Sequence, residues 1–507
     1  MTETSIIQEK KQEGVEIYEV STSNRGDISF DSSMEQGHTV KERAPEISPE
    51  EKKLVKKINL AFVPLVCAIL FVQFVDKTTL SYAAIYGIYE DTGISQTEFS
   101  WLGSLFYLGY LAVQVPNQYL MQRLPLSKYL GSILVIWGVC LLCMAFTHRF
   151  ADLGALRFLL GFWEGTTYAC IFLLISTLYR RREQVTWFGT MFICNATSIA
   201  LGAIISYGIG YMDGLAGMKP WKWCMIIWGA VTILLGIVFF LFLPDSPYSR
   251  WFRIKPEEEI IIEERSKDNA VVRNKAVKLS HIKEALTEPR FYCYFIMSLL
   301  INLQNGAITL FAAQITVSMG FDRLTSVLLN IPNGATVILC LGLCMYLSKR
   351  LDEVNYIGTL AGLITMVGAI LLVSLPQGPA QLIGLYLCGA TSPPYVMLQT
   401  SISSNISGYT KKIFYTAGNI VGYSVGNFAG SLIMVEKYAP RYVPSMIVYA
   451  ISDLLVALLF VYLRISFARE NKRRQALKDE GKIPPPPPNR EELDLTDKED
   501  LNFVYRP

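Results

Sequence analysis

Charge is scarce in this sequence and histidine nearly absent. Lys, Arg, Asp and Glu make up 18% of the 507 residues, and there are three histidines. A soluble chain of this size carries nearer a quarter charged residues. The shortage is local, because residues 58–243 and 291–466 together hold only 31 of the 89 charges. Two long charge-poor blocks, joined and flanked by charged segments, exclude an ordinary soluble enzyme and also a disordered or fibrous chain. They describe a polytopic membrane protein. The net charge of +3 is too small to suggest a nucleic-acid partner. All ten cysteines fall inside the apolar blocks, so neither an extracellular disulfide framework nor a zinc spacing is present, and they read as small packing residues. A histidine cluster, a paired-acid metal site and a nucleophile motif are all missing, which argues against an enzyme and against any cofactor. Residues 1–50 contain no apolar run of the kind a cleaved signal peptide needs, so the first apolar helix must direct insertion.

What is present is a series of apolar runs long enough to cross a hydrocarbon core. Six lie at 58–86, 99–119, 129–147, 151–178, 187–211 and 223–243. Six more follow the polar stretch 244–290, at 291–313, 324–347, 354–375, 380–400, 413–434 and 445–465. The fourth carries Arg157 and Glu164 and is the one that hydropathy supports least. Twelve spans place both termini on one side. Lys52, Lys53, Lys56 and Lys57 before the first span, and Arg469, Lys472, Arg473 and Arg474 after the last, assign that side to the cytoplasm together with the basic central loop. The expected division is a disordered tail over 1–57, an N-terminal six-helix bundle over 58–243 and a central loop over 244–290. A C-terminal bundle over 291–466 and a second disordered tail over 467–507 complete it. Five prolines at 484–488 read as an extended spacer. The sequons at Asn195 and Asn405 fall in a span and at a cytoplasmic helix end, so neither is expected to carry a glycan.

Ionisable side chains inside spans are costly and mark functional sites by default. Asp76 and Lys77 lie in the first span, Arg157 and Glu164 in the fourth. The seven-residue spacing of the latter pair is about two helical turns, which puts both on one face roughly 10 Å apart. Two readings stand side by side. The four can neutralise one another as buried ion pairs that tie helices together. Alternatively, carboxyls in low dielectric take up and release protons near neutrality, while fixed cations beside them hold a substrate carboxylate. His38, His148 and His281 lie outside the span interiors, so carboxylates must carry any coupled proton. Asp453 in the twelfth span is a fifth intramembrane charge and reads as a structural acid.

The eleventh span has two adjacent stripes at four-residue spacing. Gly418, Gly422, Gly426 and Gly430 read as a close packing face. Tyr415, Asn419, Tyr423 and Asn427 form the next stripe and should face a cavity or another helix rather than lipid. The seventh span offers Asn302, Gln304, Asn305, Thr309 and Gln314. Interhelical hydrogen bonding and substrate contact remain equal alternatives for both sets.

Six plus six spans, the Asp76–Lys77 pair and RFLLGFWEG at 157–165 resemble the major facilitator superfamily, anion:cation symporter branch. LPDSP at 243–247, NGAITLF at 305–311, SGYTKK at 407–412 and KYAPRY at 437–442 are similar to the fungal allantoate-permease group, whose members import small organic anions and vitamins. The resemblance covers residues 50–470. It implies that Asp76 and Glu164 are the proton-linked carboxylates, that Lys77 stands where an arginine usually contacts the substrate anion, and that Arg157 is the fourth-span arginine. Lys77 offers a point charge in place of a bidentate fork. MQRLPLSKYLG at 121–131 keeps basic Arg123 and Lys128 without the aspartate of the superfamily's loop motif, and GTTYAC after Glu164 lacks the proline often found there.

The expectation is therefore an all-α protein of twelve transmembrane helices in two six-helix bundles with cytoplasmic termini. Its site lies between the halves near the midplane, with alternating access by rocking. It takes up a small carboxylate or vitamin of the allantoate, nicotinate, pantothenate or biotin kind, coupled to protons, at the plasma membrane or an intracellular one. Asp76 and Glu164 carry the coupling. Lys77, Arg157, Asn302, Asn305, Tyr415, Asn419 and Tyr423 contact substrate. The partners are the anion, protons and the bilayer, and the chain works as a monomer. A nutrient sensor of the same fold is the alternative. A drug antiporter would show a Gly-Pro-rich fifth span, and a sugar porter a PETKG-like sequence after the last span; the sequence has neither.

Overall fold

The computed structural model describes residues 48–244, 246–252, 254–269, 278–484 and 494–506. The expected tail before residue 48, the segment 270–277, Asp245 of LPDSP and prolines 485–488 lie outside the described residues.

Each expected span is helical. The first six are Pro49–Ile85, Gln96–Ala112 with Gln114–Arg123, Leu126–Met144, Phe150–Glu164 with Thr167–Leu178, Arg181–Gly210 and Pro220–Phe242. The second six are Pro289–Ser318, Arg323–Leu328 with Asn330–Leu351, Asn355–Ser374, Gln381–Gly389 with Ser392–Asn405, Tyr409–Ile433 and Val443–Asp479. Among the described residues there is no strand. Local signals set several starts. Ser95 and Glu98 form a reciprocal capping box at the second span, and Pro220 and Pro289 occupy first helical turns, where a missing N–H does no harm.

Nine of these helices are long and apolar enough to cross a membrane among the described residues. The fourth passes, with a mean hydropathy of 1.6, against the expectation that it is the weakest. The second, tenth and eleventh do not pass. The second is divided at Val113 and the tenth just before Pro393 and Pro394, two residues that cannot donate to the preceding turn. The eleventh is continuous but turns Asn419, Ser424 and Asn427 inward, so its polarity is spent on other helices.

The glycine stripe of the eleventh span does the work expected of it. A Cβ at Gly422, Gly426 or Gly430 would collide with the carbonyl oxygens of Phe295, Leu299 and Leu303, so the seventh span lies backbone to backbone against it. All ten cysteines are free thiols.

Three expectations about the charged segments need correction. The region 244–290 is not only loop, since it contains helices Pro256–Asn269 and Leu279–Thr287. The expected tail over 467–507 is ordered in its described parts. The last helix continues to Asp479, and residues 494–506 fold back so that Thr496, Asp497 and Tyr505 are buried. Low hydropathy concealed this, because the segment docks through ion pairs and two aromatic rings rather than through an apolar run. At the other end, residues 49–57 also belong to a helix rather than a tail.

Candidate functional site

Asp76 and Lys77 sit in an unbroken helix. Consecutive helical residues point about 100° apart, and the pair divides accordingly. Asp76 faces the third span, where the fully buried Trp137 donates its indole N–H to Asp76 Oδ2 at 2.7 Å. Its other oxygen, Oδ1, is buried without a hydrogen-bond partner among the described residues. Lys77 faces the fourth span. Its Nζ lies 3.3 Å from Glu164 Oε1 and 5.7–6.0 Å from the ring centres of Phe106, Tyr110 and Tyr168. Arg157 is buried, within electrostatic range of both Asp76 and Glu164, and its Nε and Nη2 have no hydrogen-bond partner among the described residues. The four ionisable residues named from the sequence therefore form one cluster of zero net formal charge.

Glycine makes the cluster possible. A side chain at Gly161 would overlap the carbonyl oxygen of Phe106, and one at Gly109 would overlap that of Phe158. The second and fourth spans thus touch along their backbones, which carries the Phe106 and Tyr110 rings over the lysine. The fourth helix loosens immediately after Glu164, at Gly165 and Thr166.

The other half contributes Tyr423. Its ring centre is 6.1 Å from Tyr107, 5.9 Å from Tyr110 and 5.7 Å from Tyr395. Asn419 donates to the Tyr395 hydroxyl at 3.2 Å, and Asn195 donates to that of Tyr168 at 2.8 Å. Tyr423 and Asn419 thus lie on the side of the tyrosines that faces the cluster. Sequence reasoning missed Trp137, Tyr107, Tyr110, Tyr168 and Tyr395. The one available signal was an unusual number of tyrosines within apolar spans.

Three expected contacts lie elsewhere. Asn427 donates to Asn302 Oδ1 at 3.2 Å, Asn305 donates to Asn427 Oδ1 at 2.9 Å, and Thr391 donates to Asn305 Oδ1 at 3.0 Å. Asn302 and Asn305 are therefore held in a stitch joining the seventh, tenth and eleventh spans. Tyr415 is three helical turns from Asn427 and donates to Glu288 Oε2 at 2.5 Å, just before the seventh span begins. The stripe is correct as a stripe, but it extends along the whole helix while the site occupies only part of it. Asp453 is buried beside Thr365 and Cys388, outside the cluster, and its Oδ2 has no hydrogen-bond partner among the described residues.

Residues 66–431 match the family model of the Major Facilitator Superfamily. The chain belongs to that superfamily. An uncharacterized transporter of Schizosaccharomyces pombe is 36% identical over 91% of this chain and 90% of its own length. An allantoate permease of Saccharomyces cerevisiae is 31% identical over 91% of this chain and 87% of its own. The solved structure of a bacterial homolog of the human lysosomal transporter Spinster, inward-facing and occupied, shares the fold with a TM-score of 0.63 at 12% identity. It covers 83% of this chain and 98% of that one. The fold is the superfamily's twelve-helix arrangement, and the protein is an integral membrane transporter, not an enzyme.

The two six-helix halves meet at the end away from the central segment, here called the outer end. Gln96 donates to the Tyr442 hydroxyl at 2.8 Å, Ser104 to the Phe428 carbonyl at 2.8 Å and Gln314 to the Tyr89 hydroxyl at 2.6 Å. Arg323 pairs with Glu90 at 3.4 Å. Ion pairs at the inner end stay within a half or join it to the central segment, as with Arg464–Glu353 and Lys57–Glu258.

Proposed function

We propose that this transporter takes up a small organic anion together with a proton, across the plasma membrane in fungal cells. The observation that supports this reading is the Lys77–Glu164 pair, a lysine side chain that keeps some exposure against a wholly buried glutamate, at 3.3 Å. A substrate carboxylate arriving at Lys77 competes with Glu164 for the same cation. Once deprived of its counter-ion in a site of low dielectric, Glu164 favours its neutral form and takes up a proton. Binding and protonation are then one event, and the loaded site returns to zero net charge. Asp76 differs, because Trp137 and Arg157 hold it independently of the substrate.

The energetics agree. Bringing one negative charge into a cell against an inside-negative potential costs about 2.3 kcal/mol per 100 mV, and one proton per monoanion removes that cost. The tyrosines around Lys77 offer flat faces and hydroxyls to the body of the anion, and the kinship with an allantoate permease agrees with a carboxylate substrate. The test is uptake in cells lacking the gene. Labelled nicotinate, pantothenate, biotin and allantoate are supplied with and without a protonophore. Accumulation of one of them that collapses with the protonophore is the expected result. Accumulation that ignores the proton gradient sinks the coupling, and a protein that binds an anion but moves none would instead be a sensor.

A further inference from the structure

Residues 494–506 play no part in the site above, yet Thr496, Asp497 and Tyr505 are buried there and firmly bonded. Their receptor is built from the inner ends of the seventh, tenth, eleventh and twelfth spans. Asp497 accepts from Lys411 Nζ at 2.7 Å and from the Tyr505 hydroxyl at 2.7 Å. The Tyr505 ring stacks on Phe467 with centres 5.0 Å apart, and the Arg290 guanidinium lies 4.6 Å from its centre. Arg474 donates to the carbonyls of Asp497, Asp500 and Phe503. Asn405 binds both backbone directions at Arg506, and Asn471 does the same at Tyr505.

A second set of contacts reaches the central segment. Thr496 donates to Glu284 Oε2 at 3.1 Å, Asp494 pairs with Lys278 at 3.3 Å, and Glu499 lies 3.7 Å from His281. These fasten helix Leu279–Thr287 to the C-terminal half. The other helix of the central segment, Pro256–Asn269, is fastened to the N-terminal half. There Lys57 meets Glu258 at 2.6 Å, and Arg265 meets Glu51 and Glu183 at 2.6 Å each. The chain joining the halves is therefore anchored on both sides of residues 270–277. An extended chain spans at most ~3.3–3.6 Å per residue, so the position of the second anchor bounds how far the inner ends can part.

We propose that residues 494–506 are a latch that fixes this second anchor and thereby limits how widely the inner side opens. Three acids, Glu284, Glu288 and Asp497, meet the one ammonium of Lys411 at 2.7 Å each. Two of them belong to the central segment and one to the latch. Removing the latch leaves Lys411 paired, so the receptor survives. Helix Leu279–Thr287, however, loses three of its polar ties and is held mainly by Glu284 and by Lys278 N donating to Thr410 at 3.2 Å.

The test uses the full-length protein in lipid nanodiscs. Donor and acceptor fluorophores are placed by non-cysteine chemistry at Leu124 and Leu351, exposed positions at the inner ends of the second and eighth spans. Wild type is compared with a chain ending at residue 493 and with the double substitution Asp497→Ala/Tyr505→Ala. A latch predicts a broader distance distribution with longer separations in both variants. It also predicts amide exchange in Leu279–Thr287 that rises roughly tenfold or more as local opening becomes easier. If the truncated chain does not fold, the double variant gives the same reading. A distance distribution identical to wild type in a folded variant overturns the latch.

Discussion

Glu164 and Lys77 stand 3.3 Å apart, and the lysine alone of the two keeps any exposure, 10% against 0%. That asymmetry decides which of them a ligand reaches first. A carboxylate entering the site would meet an ammonium already in use, and neither oxygen of the buried glutamate behind it has a hydrogen-bond partner among the described residues to replace the loss. Burial of a charge without a partner is far more costly than burial of the neutral acid, so in the proposed mechanism partner exchange at Lys77 becomes proton uptake at Glu164.

Glu164→Gln should reach the membrane and still exchange labelled for unlabelled substrate in vesicles without a gradient. It should lose proton-driven accumulation altogether. Asp76→Asn should lose accumulation as well, since Trp137 and Arg157 then face a neutral amide. Wild-type accumulation in both variants would remove the carboxylates from the mechanism.

Lys77→Ala should raise the apparent KM strongly and leave Glu164 unpaired, a loss on the order of 3–5 kcal/mol if the pair is dry. Lys77→Arg keeps the charge and should retain part of the affinity. Arg157→Lys should be tolerated less well, because an ammonium is more strongly hydrated than a guanidinium and is harder to keep charged in a buried place that meets both acids only at electrostatic range. Substrate binding to purified protein, with a thermal melt as control, separates affinity from folding.

Tyr415→Phe should leave the KM unchanged and lower stability by about 1.5–3 kcal/mol, the worth of a hydrogen bond to a buried charged group. A shifted KM with unchanged melting would return Tyr415 to the substrate site.

Gly161→Ala should fold poorly, because the added methyl meets the Phe106 carbonyl, part of a backbone that can yield little. Overpacking of this kind costs about 1–3 kcal/mol or more. Membrane yield and melting temperature report it, and a melt equal to wild type would show that the second and fourth spans can separate at no cost.

The acids gathered on Lys411, the core of the latch, should be insensitive to pH across the physiological range. Burial alone would raise the Glu288 carboxyl, but hydrogen bonds from Lys411 and Tyr415 hold it below the usual glutamate value. A depressed carboxylate contributes stability above its unfolded value of about 4.3, and loses it only as pH falls through the lower folded value. Burial opposes the charge on Lys411, yet Asp497, Glu284 and Glu288 push its pKa upward. That contribution is complete below the unfolded lysine value of about 10.4 and fades only as pH rises through the folded one. Exchange protection around Asp497, corrected for intrinsic rates, should thus stay level between about pH 5.5 and 8, while uptake varies. Parallel changes in both would tie the latch to the coupling.

Much of this was legible in the residues. Helical spacing put Arg157 and Glu164 on one face, the cost of intramembrane charge singled out all four members of the cluster, and the Gly418–Gly430 stripe announced the packing of the eleventh span. Trp137 and the tyrosines around Lys77 were not legible, because an aromatic in an apolar run looks the same whether it faces lipid, core or a cation. The docking of Asp497 and Tyr505 was hidden for a related reason. Polar segments are judged disordered when they cannot bury apolar area, and this one is held by partners that lie far away in sequence.

The outer seam between the halves has a thermodynamic consequence of its own. Its bonds, such as Gln96 to Tyr442 and Gln314 to Tyr89, join neutral polar groups that water can satisfy once the seam parts, and Arg323–Glu90 is an exposed pair of small worth. Each exchange of a protein partner for a water molecule changes the free energy by only ~0.5–1.5 kcal/mol. A seam made this way closes without locking. Solvent itself acts as the reserve partner, so these bonds weigh little in the balance between a closed and a parted outer end.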